Sequence, residues 1–339
     1  MAALPEKDRV ALTGVGATLP YPLYAAWFNE YAGVAPVRIN YRSEGSPAGV
    51  TAVVNGTADF GASDVPVADN IRVPGGAPLM HVPTAIGAVA LTYQVPGLRR
   101  PLRLSGPTIA GIFSGKITRW DDVRIREENP EATLPSLAVQ PVHRSDGSGT
   151  AEIFRRYLRL YTEAAATGGG ETIGVVRDGN EAVVAHVKAT PGAVAYVEVV
   201  YARQNRLPVA HLRNRTGRYV SPMPFEVATA ATNVLDALAP LDDEGRSGFR
   251  VSLLDAPGAQ SYPLASFTWM LVAPSRLSPE KCRVLNAFLH WALETAAPTT
   301  AMLGYVALPT EVANRVLVDV DEQLCCGSCA PPLASDTVR

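Results

Sequence analysis

The sequence predicts an α/β protein, folded either as two compact lobes or as one unusually large domain. Apolar runs rich in β-branched residues alternate with stretches of helical period through most of the chain. At 339 residues the chain exceeds the usual size of a single hydrophobic core. Hydrophobic residues make up 47% and charged residues 18%, which leaves ample core material and excludes a disordered chain.

The strand pattern places extended segments at Val37 to Tyr41, Ala88 to Tyr93, Val139 to His143, Ala193 to Tyr196 and Thr268 to Val272. Helical spacing places helices at Pro20 to Ala32, Ala48 to Asn55, Ala151 to Tyr161, Ala182 to Ala189, Pro224 to Ala237 and Pro279 to Thr295. Turn-forming residues mark loops at Pro74 to Pro78, Thr167 to Gly170 and Asp242 to Gly248.

The formal net charge is -2 with both signs interspersed, so no nucleic-acid surface or polybasic membrane patch is indicated. An anionic ligand would need a local site. The most apolar run, Val82 to Val95, is short and contains Pro83, Gly87, Tyr93 and Gln94, so no membrane-spanning helix is read. Met1 to Arg9 shows no basic stretch followed by an apolar one, and no secretory signal is read there. Of four cysteines, Cys282 stands alone while Cys325, Cys326 and Cys329 crowd together in a tail expected to be unstructured. That spacing offers too few ligands for a zinc site, and no metal or other cofactor is expected.

Three segments share one design, in which small or hydroxyl residues lead into a helix start. In Gly14 to Pro20, Thr18 occupies a capping position and Pro20 a first-turn position. In Gly45 to Gly49, Ser46 and Pro47 repeat the arrangement. In Arg144 to Thr150, a loop of small residues runs into a helix beginning near Thr150. A helix start exposes free amides and the positive end of a macrodipole, so three that converge would hold an anion. Arg144, two residues before Asp146, could present its guanidinium fork to an oxyanion. Each segment alone also reads as an ordinary cap or turn.

Leu12 to Pro20, Asp59 to Asp64, Gly115 to Asp122, Arg144 to Thr150, Pro191 to Glu198 and Gly304 to Val312 resemble in order the phosphate-binding proteins of Pst-type ABC importers. The likeness runs from about Leu12 to about Val316. It implies a two-lobed periplasmic-binding-protein (Venus-flytrap) fold, type II-like, with crossing segments near Val82 to Ala88 and Tyr262 to Phe267. Lobe I would take residues 10–84 and 263–324, lobe II residues 85–262, and the cysteine-containing tail residues 325–339. The implied phosphate ligands are Thr18, the Leu19 amide, Ser46 and Asp64 from the first lobe, and Arg144, Ser148, Gly149 and Thr150 from the second, with Asp146 orienting Arg144.

Hydroxyls, amides and a guanidinium donate to phosphate oxygens, whereas ionised Asp64 only accepts. Phosphate near neutral pH keeps at least one proton and can donate to Asp64; sulfate keeps none. Leu19 departs from the aromatic usual in the family, and Arg42 to Pro47 departs from its glycine- and serine-rich stretch. Arsenate shares the shape and protonation of phosphate and is a possible second ligand. The implied setting is the periplasm or outer membrane face, with a signal or anchor upstream. The implied partners are importer membrane subunits, the protein acting as a monomer. The alternatives are a phosphate-sensing or surface module on this fold, or a phosphate-ester hydrolase using Ser148 near His143.

Overall fold

The structure, a computed structural model, describes residues 10–75, 77–145, 147–162, 173–234 and 249–324. Asp146, Cys325, Cys326 and Cys329 lie outside the described residues, as do the predicted loops at 167–170 and 242–248 and part of that at 74–78.

The chain opens in strict alternation: β1 (Val10–Gly16), α1 (Tyr21–Val34), β2 (Val37–Ser43), α2 (Ser46–Asn55) and β3 (Phe60–Ser63). A long strand, β4 (Met80–Tyr93), leads to β5 (Arg103–Leu104), α3 (Gly106–Phe113) and α4 (Val123–Glu128). A second alternating set follows, with β6 (Gln140–Arg144), α5 (Gly149–Arg159), β7 (Val175–Arg177), α6 (Gly179–Ala189), β8 (Ala193–Glu198) and α7 (Val199–Gln204). Then come β9 (His211–Arg213), β10 (Tyr219–Val220) and α8 (Pro224–Thr232). The described chain closes with β11 (Ala265–Val272), α9 (Pro279–Glu294), α10 (Ala297–Met302) and α11 (Thr310–Leu324).

Eight strands lie in the order β2-β1-β3-β11-β4-β8-β6-β7, and a small sheet has the order β10-β9-β5. The large sheet explains the two-lobed fold. β2, β1 and β3 are mutually parallel, β8, β6 and β7 are likewise parallel, and the antiparallel pair β11 and β4 joins the groups. β4 pairs with β11 through Met80–Ala88 and with β8 through Val89–Tyr93, so one strand serves both halves.

Every residue of β4 and of β11 is buried, which is why both read as mostly apolar runs rather than as alternating ones. The strand predicted from Ala88 starts eight residues earlier, because Pro83 sits inside the ladder at an irregular step opposite Trp269. The first half is packed by an aromatic cluster in which Phe28 meets Tyr24, Tyr41, Phe60 and Phe288. The second half holds Phe113, Phe154 and Tyr196 in mutual ring contact. A smaller apolar cluster, including Val142, Val183, Val187 and Tyr201, seats α6 and α7 against β6 and β8.

Candidate functional site

The strands β1, β2 and β3 of one half and β6 of the other, which runs in the opposite sense, each hand the chain to a turn that lines one cleft. This is the expected place for a ligand in an open α/β sheet, outside the carboxyl ends of the strands. The turn after β1 carries Thr18 and Leu19, the one after β2 leads to Ser46, the one after β3 holds Asp64, and Arg144 ends β6.

The first turn is fixed from behind by three tyrosines. Tyr41 donates to the Ala17 carbonyl at 2.7 Å, Tyr201 to that of Thr18 at 3.5 Å, and Tyr305 to that of Leu19 at 2.7 Å. The Leu19 N–H lies opposite the Thr18 carbonyl across a trans peptide, so tying that carbonyl fixes the direction of the amide. Thr18 does not cap α1, contrary to the sequence expectation. Pro20 is the N-cap residue and the Thr18 carbonyl accepts from the Tyr21 amide instead, which leaves the Thr18 hydroxyl for the cleft.

Ser46 is likewise not a cap but the first residue of α2. Gly45 holds the cap position at φ 90°, a left-handed value that disfavours any side chain. The Ser46 hydroxyl accepts from the Asp64 amide at 3.2 Å, joining the second and third turns. The helix expected near Thr150 begins at Gly149, and Ser148 caps it, its Oγ accepting from the Ala151 amide at 3.2 Å. Its proton stays available to donate. Gly149 and Thr150 begin α5, so their amides have no acceptor within the helix.

The two sides meet across the cleft. Arg144 Nη2 donates to Thr18 Oγ1 at 3.3 Å, and the Arg144 amide donates to the Tyr196 hydroxyl at 3.1 Å. A Cβ on Gly149 would lie 2.6 Å from Asp64 Oδ2 and would also strike Ser46 Oγ. All eight residues named from the sequence therefore sit around one small space, and all but the half-buried Thr18 are buried.

Asp64 is the electrostatic centre of that space. The Ser63 hydroxyl, not the Asp64 carboxylate, makes the local turn, donating to the Val65 carbonyl at 2.6 Å. Asp64 Oδ1 accepts from Thr268 at 2.9 Å. Its Oδ2, and the Thr150 hydroxyl, are buried with no hydrogen-bond partner among the described residues. Burial pushes the carboxyl up to about 7, against the opposing pull of Thr268, Arg144 and Ser46. An acceptor and a donor are thus left open toward a cleft lined by a guanidinium, hydroxyls and helix-start amides.

Thr268, Ser266 and the three tyrosines were not singled out from the sequence. A signal existed for Ser266 and Thr268, two hydroxyls at strand period inside an apolar run. The hydrolase alternative fares differently: His143 Nε2 engages the Ile173 carbonyl at 3.1 Å and its ring packs on Phe113, while Ser148 serves as a cap.

Hydroxyls, helix-start amides and a guanidinium gathered around one buried carboxylate make a site suited to a small oxyanion that carries a proton. A family model, the PBP superfamily domain, matches residues 3–295. A phosphate-binding protein PstS of Methanocaldococcus jannaschii is 39% identical over 333 residues, covering 91% of this chain and 85% of that protein. The chain belongs to the PBP superfamily and, within it, to the family of PstS phosphate-binding proteins. A phosphate-binding protein PstS of Pasteurella multocida is 35% identical over 312 residues, 90% of this chain and 88% of its own length. Among solved structures, a DING protein superposes with TM-score 0.73 at 21% identity, covering 91% of this chain and 93% of its own. A phosphate ABC transporter substrate-binding protein of Clostridium perfringens, with bound phosphate, has TM-score 0.65 at 18% identity and covers 88% of this chain and 100% of its own.

Proposed function

We propose that this protein captures one inorganic phosphate ion between its lobes, performs no chemistry on it, and delivers it to the membrane subunits of an ABC importer. The observation that carries this reading is Asp64 Oδ2, a fully buried acceptor open among donors. Protonated phosphate satisfies it and sulfate does not. The PstS relatives and the phosphate-bound fold neighbours support the same ion.

In this reading Thr18, the Leu19 amide, Ser46, Arg144, Ser148, Gly149 and Thr150 donate to phosphate oxygens, and Asp146 orients Arg144. Lobe I takes residues 10–84 and 263–324, and lobe II residues 85–262. The change of partner along β4 at Ala88–Val89 supports a division close to this one. Arsenate, with the same shape and protonation, enters the same site. The protein works as a monomer on the outer side of the membrane; no helix among the described residues is long and apolar enough to cross one.

Phosphorus NMR or mass spectrometry of the ion carried through purification, followed by calorimetric titration of stripped protein, tests the reading. Phosphate should bind at one site per chain and sulfate in large excess should not displace it. Absence of phosphate binding, or equal binding of sulfate, would overturn it. Turnover of a chromogenic phosphomonoester would overturn the claim that no chemistry occurs.

A further inference from the structure

Asp64 is gripped from behind by β11. Ser266 and Thr268 stand two residues apart on that strand, hence on one face. Ser266 Oγ shares its proton between the backbone carbonyls of Asp64 at 3.1 Å and Phe267 at 3.0 Å, and Thr268 Oγ1 donates to Asp64 Oδ1 at 2.9 Å. Thr268 is 0% exposed and its strand neighbours are Phe267 and Trp269, so an unused hydroxyl there would be costly.

The position of Thr268 is itself set by an irregularity. β11 and β4 pair one to one from Ala265 with Ala88 to Thr268 with Ala85, after which Trp269 faces Pro83. Thr84 is the extra residue of a β-bulge, a device that re-aims side chains beside functional sites. Its hydroxyl donates to the Thr268 carbonyl at 3.2 Å and meets the Tyr24 hydroxyl at 2.7 Å. Since Thr84 has a single proton and gives it to Thr268, Tyr24 is the donor to Thr84. Tyr24, Thr84 and Thr268 are all buried, and the order of donors runs inward from α1 to the strand that holds Asp64.

We propose that Thr268 is a specificity-positioning residue: by committing Asp64 Oδ1, it orients the carboxylate so that Oδ2 alone, as an acceptor, faces the anion. The proposal rests on the phosphate reading of the cleft. Thr268 touches no ligand and acts through Asp64, with Thr84 and Tyr24 holding it in turn.

A hydrogen bond to the ionised form favours that form. Without Thr268, burial dominates and Asp64 keeps its proton to higher pH. A protonated Oδ2 donates to any oxyanion, sulfate included, and discrimination fades. The other groups coupled to Asp64 are Arg144 on β6, Tyr24 on α1, Tyr41 on β2, Glu198 at the end of β8, and Tyr305 ahead of α11. Arg144 favours the carboxylate; the buried tyrosines remain neutral across the working range. Glu198, itself pushed up to about 8, changes charge only at the alkaline end.

The test is calorimetric competition between phosphate and sulfate from pH 6 to 9 in the full chain, with Thr268→Val, Thr268→Ala and Thr268→Ser. The first two remove the hydroxyl with and without its volume, so whichever folds reads the same quantity. The ratio of sulfate to phosphate Kd should fall roughly tenfold or more in them, the scale of one hydrogen bond to a charged group. The pH dependence of phosphate binding should move to higher pH. Thr268→Ser should restore the parent ratio and profile. Should neither Val nor Ala fold, Thr84→Val must lower the ratio in the same direction. An unchanged ratio and profile, or an equal loss for both anions, would overturn the role of Thr268 while leaving the phosphate site intact. A parent that binds no phosphate would overturn the reading of the cleft and the role of Thr268 with it.

Discussion

The Arg144 guanidinium, at the end of β6, donates to Thr18 Oγ1 on the opposite wall of the cleft at 3.3 Å. One side chain thereby brings a positive charge to the cleft and ties its walls together. Charged hydrogen bonds contribute on the order of 1.5 to 3 kcal/mol each. Arg144→Ala should cost at least about tenfold in phosphate affinity, read by calorimetry. Arg144→Lys, a point charge without the planar fork, should fall between the two.

Gly149→Ala separates binding from folding. The new Cβ would strike Ser46 Oγ and lie 2.6 Å from Asp64 Oδ2. Overpacking of this kind costs about 1–3 kcal/mol. It is relieved when the walls part, so the unfolding midpoint of the phosphate-free protein should barely move while phosphate affinity falls about fivefold or more. A matched loss of stability without ligand would place the clash inside a rigid core instead.

Asp64→Asn should remove the barrier to sulfate. The ionised carboxylate and a sulfate oxygen about 4 Å apart repel by about 4 kcal/mol at an effective dielectric near 20. A site built for a donor rejects an analogue lacking it by on the order of 10⁴-fold. The amide can turn its N–H toward the anion, so sulfate should compete in the variant and not in the parent. Competition calorimetry at pH 8, above the value near 7 set by burial, keeps the parent carboxylate ionised.

Glu198 supplies a prediction away from the anion. It is fully buried at the end of β8, with Oε2 accepting from the Val200 amide at 2.7 Å and Oε1 unpartnered among the described residues. It borders a cavity of about 10 Å³, room for about one water, lined also by Ile86, Gly87, Gly304 and Val306. Burial pushes it up to about 8. The folded protein therefore holds a proton there that the unfolded chain releases above about 4.5, and stability falls as pH rises through that window. The loss is on the order of 5 kcal/mol once pH passes 8. Urea unfolding without phosphate should show this decline, shared below about pH 7 with Asp64, and Glu198→Gln should flatten its upper part. A variant with the parent's slope between pH 7 and 8 would remove Glu198 from that role.

The cleft was legible from sequence to the extent that it is built of local devices. Thr18 and Ser148 precede a helix and Ser46 opens one, and that proximity is visible in a string of letters. Which hydroxyl caps and which faces the ligand was not, because Pro20 and Gly45 take the cap positions through backbone angles that composition does not reveal. Thr268 and Thr84 were passed over for a related reason. A threonine within an apolar run reads as ordinary strand propensity, and only the register between β4 and β11 brings these two hydroxyls into one network. The strands β5, β9 and β10, two or three residues each, are too short to carry a period at all.

The sharing of β4 between both halves bears on how the molecule moves. A cleft that parts while Val89 keeps its bond to the Leu264 carbonyl, and Ile86 its bridge to Val306, must do so by winding and unwinding a continuous ribbon. Such a ribbon would act as a torsion spring, with a restoring torque that grows toward either extreme and vanishes at one angle between them. Amides at Ile86 and Val89 should then exchange with solvent equally slowly in the empty and filled protein, while those at Leu19, Gly149 and Thr150 respond to the ion.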